Sequence, residues 1–298
     1  MSRHLTAGLD GSRESVAAAL WAAREASLLG CSLRLLHVWD LVPETYPVLA
    51  GADARRLWAE RAEFDPREVV RRIRADHPRL SVETGQSCGD PVRELCEAAE
   101  EAEVLVVGSR GLGAFSGFVV GSVSLSVVAR SRRPVVLVRA APAGAEGAAG
   151  AASGAPDGRV VVGVDATRPV DEVLEYAFTH AERHGAAVQA VYAWALPTVW
   201  TPEQAAAAYA LRDELAGVQQ ALVEEALEPW RRKFPEVAAT AVAVPGRSAA
   251  ELPAAAEGAG LVVVGRRDRA ARLGTHIGSV THAVLHHCAA PVAVVPHV

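Results

Sequence analysis

The sequence predicts an α/β protein of two tandem, doubly wound domains, each a five-stranded parallel sheet with helices on both faces. Three observations predict it. Short apolar runs alternate with longer amphipathic stretches, the second half repeats the first, and a low-complexity segment lies between the halves.

The elements of the first half follow in order. His4 to Leu9 reads as a strand, ended by Asp10-Gly11-Ser12. Glu14 to Leu29 reads as an amphipathic helix, with Val16, Leu20, Ala23 and Leu28 near one face and Gly30 as its C-cap. Ser32 to Trp39 is a second strand, and a polar loop runs from Asp40 to Asp53. A charged helix is expected from about Ala54 to Ala75, interrupted or restarted near Asp65-Pro66. Leu80 to Thr84 is a third strand, and Gly89-Asp90-Pro91 opens a helix running to about Glu101. Val104 to Val107 is a fourth strand. After a glycine-rich turn, a short helix begins at Gly121-Ser122, and Pro134 to Arg139 is a fifth strand.

Residues 141–158 are rich in Ala, Gly, Ser and Pro and read as a flexible linker between domains at 1–140 and 159–298. Beyond it the pattern returns. Gly108, Gly121, Ser122 and Pro134 find their counterparts in Gly265, Gly278, Ser279 and Pro291, each 157 residues on. Asp10 maps to Asp165 at an offset of 155. A period this long marks duplicated domains, since solenoid repeats run to about 20–50 residues.

Composition narrows the function. The chain has 298 residues, a net charge of −5 and no basic tract, which argues against nucleic acid as a partner. No apolar run approaches the roughly 20 residues of a membrane helix, and the four cysteines form no C-x-x-C pair, so a reduced cytoplasmic setting is expected. The single lysine, Lys233, lies far from any glycine-rich turn, which excludes a Walker-type phosphate loop.

The chemistry concentrates in Gly108-x2-Gly111-x9-Gly121-Ser122, set between a strand and a helix. Its glycines are expected to leave backbone N–H groups bare beside a helix N-terminus, where phosphate binds without metal or lysine. Ser109, Arg110 and Gly113 belong to the same turn, Val123 to the helix start, and Ser122 and Ser124 add hydroxyls. Ligands of open parallel sheets sit beyond the carboxyl ends of the strands, where strand order reverses. If the first and fourth strands flank that reversal, Asp10 and Gly11 border the same crevice as Gly108. Asp10 is then placed for a ribose hydroxyl, a base amine or a divalent cation on the phosphates. Backbone groups near Val38 are placed for a base edge. Each residue also has a plainer reading. Asp10-Gly11-Ser12 serves equally as a turn whose serine caps the next helix, and Ser122 as an N-cap.

The combined motif, with Val-Ser124 and Pro-Val-Val-Leu-Val after it and Gly-Leu-Asp10-Gly-Ser and Gly89-Asp-Pro-Val before it, resembles the signature of the universal stress protein family in its nucleotide-binding branch. The resemblance covers the whole chain in two copies. It implies strand order 3-2-1-4-5 and ATP, with or without Mg, as ligand. Adenine would lie near the second strand, ribose near Asp10 and the glycine turn, and phosphates on Gly111, Gly121 and Ser122. It further implies pairing of last strands, either between the two halves or in a homodimer. The second half departs from the pattern, with Asp268 in the place of Gly111. Asp165, Gly265, Gly278, Ser279 and Thr281 are retained there, and weaker or no nucleotide binding is expected.

Other constellations carry less. His282 and His286 have metal-ligand spacing on a helix, but two ligands are too few. Trp39 and Trp194 stand at equivalent strand ends, positioned to wall a pocket. A nucleotide-binding regulator with slow or no turnover is the leading expectation. The alternatives are a nucleotide-free dimerisation scaffold and an ATP-dependent adenylating enzyme, the last disfavoured because the cradle offers Arg110 and no lysine.

Overall fold

The computed structural model describes residues 3–39, 64–109, 120–140, 158–195, 212–268 and 277–298. The chain divides into two compact units, one in each half. The first contains β1 (His4–Leu9), α1 (Arg13–Leu29), β2 (Ser32–Trp39), α2 (Pro66–Asp76), β3 (Val82–Cys88), α3 (Pro91–Glu101), β4 (Val104–Gly108), α4 (Ser122–Arg130) and β5 (Val135–Val138). The second contains β6 (Val160–Gly163), α5 (Asp171–His184), β7 (Val188–Trp194), α6 (Arg212–Lys233), β8 (Ala239–Pro245), α7 (Ser248–Ala255), β9 (Leu261–Arg267), α8 (Ser279–His287) and β10 (Val292–His297).

Within the first unit every pairing is parallel, and the order is β3-β2-β1-β4-β5. The second unit repeats it as β8-β7-β6-β9-β10. The strand order reverses between β1 and β4, and again between β6 and β9, which fixes where a ligand crevice can form. The winding on both faces follows from adjacent residues of β4, which point to opposite sides. A Cβ on Gly108 would meet α1 at Glu14, whereas Val107 shares its face with Gly8 and Leu95 of α3. The strands bury near-continuous apolar runs, among them Leu5, Ala7 and Leu9 in β1 and Leu105, Val106 and Val107 in β4, as expected of a sheet covered on both sides.

Two expectations need correction. Of the face drawn for α1 through Val16, Leu20, Ala23 and Leu28, only Ala23 is buried. Ala18, Ala19, Ala22 and Ala26 are buried with it, as is Trp21, and Leu28 is 55% exposed. The reason is proximity. The first turn of α1 lies against Gly108 of β4, and at that approach alanines fill most of the buried face behind it, with Trp21 the large exception. The third strand also runs four residues further than its apolar signal, to Cys88, because pairing with β2 through Trp39 sets its length. As an edge strand it exposes Glu83, Thr84 and Gln86, which leave little hydrophobic trace in the sequence.

Caps fall where turn chemistry puts them. Ser12 accepts the N–H of Ser15 at the start of α1, and Gly30 ends the helix at φ 62°. Asp65 caps α2 with Pro66 in its first turn, so the charged helix restarts there; its earlier part and the loop before it lie outside the described residues. Asp90 caps α3 ahead of Pro91. No helix among the described residues is long and apolar enough to cross a membrane.

Candidate functional site

Four short contacts draw the ends of β1 and β4 into one edge of the first unit. Asp10 leaves β1, and its backbone N–H donates to Ser15 Oγ at 3.3 Å. Its Oδ1 accepts both the N–H of Ser12 at 3.0 Å and the Ser12 hydroxyl at 2.6 Å. Gly108, at the end of β4, lies under the same helix turn. A Cβ there would stand 2.7 Å from the Glu14 carbonyl carbon and 2.8 Å from the Ser15 nitrogen. Ser124, from the first turn of α4, donates its hydroxyl to the Gly108 carbonyl at 2.7 Å.

These contacts revise the role of the glycine loop. The missing side chain at 108 admits helix α1 rather than an anion. The Ser109 N–H is spent on the Val138 carbonyl at 2.8 Å, and the Gly121 N–H on the Ser109 carbonyl at 2.8 Å. The bare amides sit one step later. Gly121, not Ser122, is the N-cap of α4, with φ −66° and ψ 150° and no side-chain cap. The first bond into the helix runs from the Leu125 N–H to the Gly121 carbonyl at 3.0 Å. The N–H groups of Ser122, Val123 and Ser124 therefore have no acceptor among the described residues, as the geometry of a helix start requires. The Ser122 hydroxyl is exposed beside them, and Ser109 Oγ is buried without a partner among the described residues. Asp10 Oδ2 likewise has no hydrogen-bond partner among the described residues. Arg110, Gly111 and Gly113 lie outside them.

On the other wall, Gly11 and Val38 were named from the sequence, but Phe64 and His37 were not evident from it. Gly11 adopts φ 83°, a conformation that favours glycine, and a Cβ on it would meet Phe64 at 3.0 Å. Phe64 also stands edge-on to the buried ring of His37, centroids 5.6 Å apart. His37 pairs with Leu9 in the sheet, so Val38, half-buried, comes level with Asp10.

The second unit rebuilds three of these devices. Asp165 Oδ1 accepts the N–H and hydroxyl of Thr167 at 3.1 and 2.6 Å, as Asp10 does from Ser12. Thr281 donates to the Gly265 carbonyl at 3.1 Å, as Ser124 does to Gly108. Gly278 caps α8 at φ −62° and ψ 153°, with exposed Ser279 following it. The surroundings differ. A Cβ on Gly265 would meet His297 Nε2 at 2.9 Å and Val173 Cγ2 at 3.1 Å, side chains rather than a helix backbone. Helix α5 begins at Asp171, six residues after Asp165, whereas α1 begins three residues after Asp10. Beyond the carboxyl ends of β6, β7 and β9 a cavity of about 460 Å³ is lined by Asp165, Gly265, Thr281, Arg168, Tyr192, Arg267 and His297, among others. Burial, with the charge of Asp165 adding to it, raises the pKa of the Tyr192 hydroxyl above that of an ordinary phenol. Trp194 is buried, its indole N–H without a partner among the described residues, and it does not line the cavity. The side chain of Trp39 lies outside the described residues. Tyr192 stands where the first half has His37, at the offset of the paired aspartates, so the repeat itself could have located it.

Fold and site together define a duplicated, parallel α/β protein whose strand order reverses once in each unit, with a cavity at the reversal in the second. The universal stress protein family model matches residues 1–139 and again 158–296, and the chain belongs to that family. A universal stress protein of Mycobacterium tuberculosis is 33% identical over 300 residues, spanning 96% of this chain and 95% of its own length. One of Mycolicibacterium smegmatis is 30% identical over 304 residues, spanning 97% and 95%. The crystal structure of a universal stress protein from Archaeoglobus fulgidus shares the fold, with a TM-score of 0.66, 20% identity and 99% of each chain covered.

Proposed function

We propose that the first unit binds an adenine nucleotide, ATP in the first instance, and that the protein acts as a nucleotide-responsive regulator with slow or no turnover. The observation that carries this reading is the amino end of α4. Three N–H groups without acceptors among the described residues stand there, on the edge that also bears Asp10, whose Oδ2 has no partner among them either. Such an end attracts phosphate through its amides and its dipole. The sugar and base would then run toward Asp10 and the end of β2. A magnesium ion arriving with ATP would find a single oxygen at Asp10, which suits an ion held mostly by phosphate and water. Turnover lacks a driver among the described residues. The chain's one lysine is in α6 of the other unit, where it pairs with Glu175 at 2.7 Å. None of the four cysteines is in a disulfide, in keeping with the reduced, cytoplasmic compartment proposed here.

The structural duties of Gly108, Ser124 and Asp10 Oδ1 favour a second reading, a nucleotide-free scaffold. One experiment separates the two. Titration of the full chain with ATP is compared with Gly121→Val, a position whose φ and ψ any residue adopts, and with Asp10→Asn. Under the nucleotide reading Gly121→Val weakens ATP binding about tenfold or more, the worth of one or two charge-assisted hydrogen bonds. No ATP binding by the wild type leaves the scaffold, and equal affinity in the wild type and both variants means that the pocket is misplaced.

A further inference from the structure

The cavity of the second unit is chemically distinct from the first-unit site. At about 460 Å³ it falls in the range of small-molecule pockets, roughly 300–1,000 Å³. Arg168, Arg267 and His297 line it against a single carboxylate, Asp165, one of whose oxygens is already committed to Thr167. Guanidinium groups match phosphate oxygens in pairs. Tyr192, which lines the cavity, offers a neutral hydroxyl to the body of a ligand. The route that a polyphosphate would take is narrowed. Asp268 replaces the glycine of the first half and lies 3.8 Å from the buried guanidinium of Arg266, and His297 lies against Gly265. Gly278 points the other way. A Cβ there would meet nothing within 4 Å among the described residues, and its φ is ordinary, so the fold itself does not call for glycine beside this cavity.

We infer that the second unit binds a phosphate monoester the size of a nucleoside monophosphate, and that it discriminates against triphosphates. This does not rest on the reading of the first unit. The test uses the full chain, with AMP as probe, ATP as competitor and inorganic phosphate as control. It is run in the Gly121→Val background, or in Asp10→Asn should that variant not fold. The expected result is one equivalent of AMP bound in that background, displaced by ATP only at concentrations at least tenfold higher. Arg267→Ala weakens AMP about tenfold and Tyr192→Phe by a few fold, with unchanged unfolding curves. The inference is overturned if AMP does not bind, if binding disappears in both first-unit backgrounds, if neither Arg267→Ala nor Tyr192→Phe alters it, or if ATP competes as well as AMP. Failure of the first-unit reading shows instead as wild-type ATP binding that ignores Gly121→Val, so the two failures are told apart.

Discussion

Gly108 and Gly265 occupy the same place in the two units, and they are glycine for different reasons. In the first unit the neighbour is the backbone of α1, which cannot move without moving the helix. In the second the neighbours are the ring of His297 and a methyl group of Val173, which can turn aside. The later start of α5 makes that difference. Duplication thus kept the residue while the constraint on it relaxed, and the space between strand ends and helix opened into a cavity.

The largest expected effect breaks this comparison if it fails. Gly108→Ala forces a Cβ to within 2.7 Å of a backbone carbon and should destabilise the first unit by about 3 kcal/mol, the upper end of overpacking costs. Gly265→Ala should cost only about 1 kcal/mol, because side chains absorb the strain. Denaturant unfolding of the full chain measures both. Equal losses would mean that α1 and α5 press on their sheets alike.

Much of this architecture was legible in advance, for physical reasons that also mark the limits. Buried strands such as Val104–Gly108 are short, valine-rich apolar runs between turn residues, and their length and β-branching tell them from buried helices. Caps at Ser12, Gly30 and Asp90 are local chemistry, readable from a few residues. The buried alanine face of α1 was not readable, because hydrophobicity scales rank Leu28 and Val16 above alanine and say nothing of how closely a helix approaches. At the site, Asp10, Ser124 and Gly121 could be named from the repeat, but not their division of labour. That the amide of residue 109 is spent on β5 and that of residue 121 on the carbonyl of residue 109, and that Phe64 lies against Gly11, depends on partners distant in sequence.

The next effect sharpens the contrast at the first turn of each unit. Ser12 is buried, caps α1 and donates to Asp10, so Ser12→Ala should cost about 1–2 kcal/mol. Thr167 repeats the donation to aspartate but is exposed and caps nothing, since α5 starts after Val170. Thr167→Ala should therefore stay within about 0.5 kcal/mol, as surface substitutions do. The same unfolding measurement decides, and a larger loss in Thr167→Ala would show that the aspartate turn, not the cap, is what stabilises both units.

Acid should separate the units as well. The Ser87 hydroxyl and then Arg93 hold the Glu94 carboxyl below its ordinary value of 4.5. A depressed carboxyl contributes stability that is complete above its unfolded value and is lost as pH falls through the lower, folded one. Its counterpart Glu251 faces Gly246 and has Val244 where Ser87 stands in the first half. Unfolding midpoints followed downward from neutral pH should decline less steeply below about pH 4.5 in Glu94→Gln than in the wild type. A limb as steep in Glu94→Gln as in the wild type would place the acid sensitivity elsewhere.

The smallest effect on folding is expected at Gly278, and there the comparison bears on function. A glycine required by the fold declares itself by a left-handed φ or by a neighbour too close for a Cβ, and Gly278 has neither among the described residues. Alanine fits its φ of −62° and ψ of 153°, gains a little from a less flexible unfolded chain and loses a little as a poorer N-cap. Gly278→Ala should therefore change stability by less than about 0.5 kcal/mol. If the amides of α8 meet an anion, the added methyl group crowds the approach, and AMP should bind several-fold more weakly in a chain that unfolds as the wild type does. Unchanged AMP affinity would detach Gly278 from the ligand and leave only the arginines to hold the phosphate.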